Sequence, residues 1–100
     1  MSIGTAHTNR LKRTTHVVST VNGSDTVVHN LRDGQTRILN EVGGRVWAML
    51  DEQGVTLEAI IDVLAREYAL PSDAPHDQIQ RDVVALLTQL HDAGLISIVA

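Results

Sequence analysis

Covalent catalysis needs an activated nucleophile, and a metal centre needs converging His, Cys or carboxylate ligands. This sequence has no Cys, so Cys nucleophiles, disulfide scaffolds, Cys-ligated zinc and iron–sulfur clusters are excluded together. It has Ser, Asp and 5 His, but no G-x-S-x-G elbow, no P-loop and no dinucleotide fingerprint. His16 and His29 are the nearest thing to a metal pair, since strand alternation places both on one sheet face. Two strand histidines are more often surface or packing residues, so the expectation is no metal and no cofactor. Trp47 and Tyr68 are the only aromatics, with no Phe, which leaves no stacking platform for bases. Gly43-Gly44 has no phosphate-binding context and reads as a place where another backbone packs close. The expectation is that the chain is not an enzyme.

The chain has 100 residues, 43% of them apolar, enough for one domain of modest core. Residues 1–13 are polar and aperiodic and read as a flexible N-terminal arm, with the domain at 14–98. Thr14 to Val21 is rich in β-branched residues and reads as a strand. Asn22-Gly23-Ser24-Asp25 is a turn, Thr26 to Asn30 a second strand, Asp33-Gly34 a hairpin signal, and Gln35 to Leu39 a third strand. A Gly23-Ser24 loop pairs Asn22 with Asp25 and Val18 with His29. An Asp33-Gly34 loop pairs Arg32 with Gln35 and His29 with Ile38. One face then carries His16, Val18, Val27, His29, Leu31 and Ile38; the other carries Val17, Val21, Val28, Arg37 and Leu39.

After Asn40 the apolar period becomes helical. Asn40 is an N-cap, Val42, Val46, Met49 and Leu50 form a stripe, and the helix is expected to stop near Gly54. Thr56 caps a second helix with the stripe Leu57, Ile60, Ile61, Leu64 and Tyr68. Ala69 to His76 is a loop. A third helix runs from about Asp77 to Ala93 with the stripe Ile79, Val83, Leu86, Leu90 and Ala93; Gly94 ends it, and Leu95 to Val99 is β-like. The fold class is α+β, a three-stranded antiparallel meander followed by three helices that cover it.

Charge narrows the function. Residues 1–50 hold six basic against three acidic residues, a net +3, and residues 51–100 hold two against nine, a net −7. A winged-helix DNA-binding domain would place its recognition helix last. Asp73, Asp77, Asp82 and Asp92 surround that helix, with Arg81 its only basic residue, and would repel phosphates. The expectation is no nucleic-acid partner. No h-region and no long apolar run is present, so no membrane partner and a cytoplasmic location are expected. The meander has open edges, and an open edge offers N–H and C=O groups to an extended peptide. The same edges permit a monomer or a weak homodimer.

The stretch from Leu39 to Ile96 resembles the PqqD-like family, the leader-recognition elements of ribosomal peptide biosynthesis. The resemblance is carried by Leu39-Asn40-Glu41-Val42-Gly43-Gly44, Val46-Trp47, Leu50-Asp51, Gly54, Thr56, Ile60-Ile61 and Leu64. It continues through Asp82-Val83, Leu86-Leu87, Leu90 and Gly94-Leu95-Ile96. It implies a fold related to winged helix-turn-helix and no catalysis. It also implies that the leader of a precursor peptide adds as an antiparallel strand between the third strand and the last helix. The implied site is Gln35, Thr36, Arg37, Ile38 and Leu39 for backbone pairing, with Arg81, Val84 and Leu87 lining the groove. A chain of this size is similar to the stand-alone leader-binding partner of lasso-peptide proteases, which implies a leader peptidase as protein partner. The alternative is the partner of a radical-SAM enzyme, as in pyrroloquinoline quinone synthesis.

Overall fold

The structure, a computed structural model, describes residues 9–51, 53–67 and 76–99. Four strands come first: β1 (Arg10–Arg13), β2 (Val17–Asn22), β3 (Asp25–Asn30) and β4 (Thr36–Leu39). They are followed by α1 (Glu41–Met49), β5 (Val55–Thr56), α2 (Leu57–Glu67), α3 (His76–Asp92) and β6 (Ile96–Val99). The meander is present as a sheet ordered β2-β3-β4, and the three helices follow it. A second small sheet, ordered β5-β1-β6, was not foreseen.

The second sheet corrects the reading of residues 10–13 as part of an arm. Leu11 is fully buried and pairs with Ile98, while Arg13 pairs with Ile96. A strand with one apolar residue among Arg10, Lys12 and Arg13 shows no alternation of its own. Its apolar complement lies at the far end of the chain. Residues 1–8 lie outside the described residues.

The β2–β3 register is as expected: Asn22 pairs with Asp25 and Val18 with His29 across a turn in which Gly23 has φ +65°. The β3–β4 register differs by two residues, His29 pairing with Thr36 and Val27 with Ile38. The loop accounts for the difference. Gly34, at φ +77°, donates its N–H to the Asn30 carbonyl at 2.9 Å, and Asn30 N–H donates to the Gln35 carbonyl at 2.9 Å. Gly34 and Gln35 thus share one partner, a glycine bulge in place of a two-residue turn. A two-residue shift preserves the faces. Val28 and Leu39 are buried on the inner face, while Val18 and Ile38 are 50% and 70% exposed on the outer one.

Helix α1 starts as its sequence dictates, with the Asn40 side chain accepting from Gly43 N–H at 2.8 Å. It ends at Met49 rather than near Gly54, because the Asp51 carboxylate accepts the N–H groups of Gln53 and Gly54 and turns the chain toward β5. Thr56 Oγ1 caps α2 at Ala59 N–H, 3.2 Å away. The core under the sheet joins Val28, Leu39, Val46, Trp47, Leu57, Ile60, Val83, Leu87 and Leu90. Each such side chain contributes about 1.5–3 kcal/mol when buried. Trp47 is in this core; Tyr68 and residues 69–75 of the expected loop Ala69 to His76 lie outside the described residues, and His76 already belongs to α3.

Candidate edge-strand site beside the last helix

Among the described residues strand β4 is an edge of its sheet. The bulge fixes which of its backbone groups are spent. Asn30 bonds toward the bulge, so by alternation Val28 and Thr26 also bond toward β4, using Arg37 and Leu39. Thr36 and Ile38 must then direct their N–H and C=O groups away from β3. These four groups form the open edge. The side chains divide the other way: Thr36 and Ile38 are on the outer face, while Arg37 and Leu39 are on the side of the helices.

The outer face is held at one point. His29 Nδ1 lies 2.7 Å from Thr36 Oγ1, joining β3 to β4 across the sheet. His16 takes no part in this. Its Nε2 is 3.1 Å from the Gly94 carbonyl and 3.4 Å from Thr14 Oγ1, so the two histidines have separate partners and do not converge.

Two contacts set α3 against this edge. At one end the buried Asn30 donates through Nδ2 to the Ala93 carbonyl at 3.0 Å, and its Oδ1 accepts from Arg32 N–H. At the other, Gly43 leaves room for two leucines. A Cβ placed there would sit 3.2 Å from Leu39 Cβ and 3.7 Å from Leu86 Cδ2. Leu86 of α3 and Leu39 of β4 thus border the same glycine of α1. Helical spacing puts Asp82, Gln89 and Ala93 on the same flank.

The expected groove residues fall in different places. Gln35, Thr36, Arg37 and Ile38 are exposed at or beside the edge, and Leu39 is buried beneath it. Leu87 is fully buried, so it supports the wall from inside and cannot touch a surface ligand. Val84 is half-buried and Arg81 exposed, and Val84 stands about 160° around α3 from Leu86. The apolar stripe of α3 is wide, and nothing in it marks which flank meets β4. The Gly43 contact places Leu86 on the side of α1.

Over residues 25–96 the sequence matches the family described as coenzyme PQQ synthesis protein D (PqqD). The chain belongs to the PqqD family. The match begins at the first residue of β3 and ends at the first of β6, so it contains the whole β4 edge and all of α3. No curated protein matches the chain. Among solved structures it is similar to TbiB1 in complex with the TbiA(beta) leader peptide. The identity is 29% and the TM-score 0.73, and the similarity covers 86% of this chain and 94% of that one. Among the described residues no helix is long and apolar enough to cross a membrane.

Proposed function

We propose that this PqqD-family chain binds the leader segment of a ribosomally made precursor peptide. The leader adds as an antiparallel strand to β4 and lies along the Leu86 flank of α3. The carrying observation is the open edge itself: Thr36 and Ile38 direct four backbone groups outward, next to a helix flank of mixed apolar and polar character. Main-chain bonds of this kind supply affinity, and alternate side-chain contacts supply selectivity. Arg37 on the strand and Asp82 on the helix give the two walls opposite charge. The similarity to a structure solved with a leader peptide supports the same reading.

In this reading the chain is a non-catalytic cytoplasmic module, with residues 14–98 and β1 forming one binding domain. It holds the precursor for a leader peptidase in lasso-peptide biosynthesis. A second reading of the same site, consistent with the family's description as a PQQ synthesis protein, delivers the precursor to a radical-SAM enzyme instead. The test is a search of the neighbouring genes for a short precursor, followed by calorimetric titration with its leader. Saturable binding of one leader per chain is expected, and its absence at micromolar concentrations overturns the proposal. Addition of the neighbouring peptidase or radical-SAM enzyme then separates the two readings by which one cleaves or modifies the bound precursor. A salt-dependent shift of random DNA would favour a nucleic-acid role instead.

A further inference from the structure

Among the described residues the edge opposite β4 is β2, and the leader reading does not use it. Its sequence is Val17-Val18-Ser19-Thr20-Val21-Asn22, with no charge, no Pro and no Gly. Edges that remain solitary are protected by charge, proline, bulges or shortness, and β2 has none of these. It is the equal of β3 in length, and Val21 is 74% exposed. The pairing of Asn22 with Asp25 around the tight turn, and the bond from Leu31 N–H to the His16 carbonyl at 2.8 Å, fix its hydrogen-bonding phase. Even-numbered residues bond to β3, so Val17, Ser19 and Val21 present N–H and C=O groups to the open side.

We propose that β2 pairs with β2 of a second copy of this chain, antiparallel and centred on Ser19. This register makes all three outward residues bond. Ser19 faces its own equivalent, and Val17 faces the second copy's Val21 on both sides of the two-fold axis. On the outer face Val18 stands opposite the second copy's Thr20. No like charges meet anywhere along the seam, and apolar pairs flank its centre.

The charge at the ends of the seam fits the same partner. In this register the second copy's hairpin tip, Gly23-Ser24 with Asp25 behind it, lies over Thr14 and Thr15. There a pocket of about 790 Å³ opens, lined by Thr14, Thr15 and Val17 together with Lys12 and Arg13. Asp51 also lines it and its charge acts on Arg13, whose guanidinium is turned onto Trp47, so Lys12 is the cation left to meet the tip. Asp25 of each copy is thus brought toward Lys12 of the other. The product is one six-stranded sheet, ordered β4-β3-β2-β2-β3-β4, with a leader-binding edge free at each end.

Sedimentation of the full chain tests this independently of any leader. The 10.9 kDa species should double in mass as concentration rises toward millimolar. Ser19→Pro, which removes an outward donor, and Val21→Lys, which charges the seam, should each weaken the dimer about tenfold or more. Asp25→Lys should weaken it, and Asp25→Lys with Lys12→Asp should recover it. In the unaltered chain, hydrogen exchange at Val17, Ser19 and Val21 should slow with concentration, a readout that does not depend on variants folding. A monomer at every concentration, or a dimer whose seam amides stay unprotected, overturns the proposal.

Discussion

The Arg13 guanidinium lies 4.4 Å from the centre of the Trp47 ring and donates through Nη2 to the Trp47 carbonyl at 2.7 Å. One side chain thereby ties the N-terminal strand to the C-terminal end of α1. Burial lowers the Arg13 pKa, partly opposed by the charge of Asp51. Arg13 Nε is buried with no hydrogen-bond partner among the described residues. Arg13→Ala should cost about 1–3 kcal/mol through the lost ring contact and hydrogen bond. Arg13→Met should cost less, because it keeps the packing and removes the unpaired N–H. Denaturant unfolding of the two variants checks the order.

Gly44 and Thr26 set how closely α1 sits on β3. A Cβ on Gly44 would lie 2.5 Å from Thr26 Oγ1 and 3.3 Å from Thr26 Cβ. Thr26 is 8% exposed and stiff at its branched carbon, so it cannot swing away. The clash should outweigh the roughly 1 kcal/mol that Ala gains over Gly in a helix. Gly44→Ala is expected to destabilise by about 1–3 kcal/mol. Adding Thr26→Ala should restore part of that loss, and a double-mutant thermal melt measures how much.

The glycine pair shows what was legible in the sequence. Its cost to a helix announced a close backbone, but the atoms that crowd it are side chains, Thr26 at Gly44 and Leu39, Asn40 and Leu86 at Gly43. The turn at Asn22 to Asp25 fixed the first register, because a two-residue loop leaves one pairing. The second register depended on whether Gly34 sat inside a turn or in a bulge, and both place glycine at positive φ. Strand β1 was hidden because its partner β6 is more than eighty residues away, and its single apolar residue, Leu11, makes no pattern. The β4 edge was read correctly as a strand. The helix flank beside it was not readable, since Leu86 and Val84 both border the same apolar stripe.

Glu67 is held below the ordinary carboxylate range, first by its hydrogen bonds from Arg45 and then by the charges of Arg45 and Arg66. A carboxyl lowered in the folded state stabilises the fold above its unfolded pKa and loses that contribution as pH falls through the lowered value. The pair joins α1 to α2 at the surface, so the effect is small and screened by salt. Glu67→Gln should leave stability almost unchanged under acid and lower it slightly at neutral pH. Thermal melts across the acid range at low and high salt check both parts.

Proline tests the β4 edge one residue at a time, because it removes a single donor. Thr36→Pro and Ile38→Pro delete outward N–H groups and leave the backbone bonds to β3 intact. Thr36→Pro also removes the hydroxyl that meets His29, so Thr36→Val, which removes that hydroxyl alone, is its control. Each proline should weaken leader binding about tenfold, roughly the worth of a hydrogen bond and its alignment, with a small change in melting temperature. Arg37→Pro deletes a bond to Val28 instead and should destabilise the sheet itself. Equal effects at all three positions would show that the edge is not the pairing surface.

The flank of α3 is tested by Leu86 against Val84. Both are half-buried leucine- or valine-sized groups on one helix, so replacing either with Ser removes comparable apolar surface. Their stability losses should therefore be similar, about 1–2 kcal/mol. Binding should separate them. Leu86 borders Gly43, as Leu39 does, whereas Val84 stands about 160° around the helix. Leu86→Ser should weaken the leader several-fold more than Val84→Ser. Arg81→Glu, exposed and off this flank, should leave the affinity unchanged, and a large loss there would move the groove to the other side of α3. Calorimetry with one leader peptide against the three variants, each checked for a cooperative melt, decides which flank holds it.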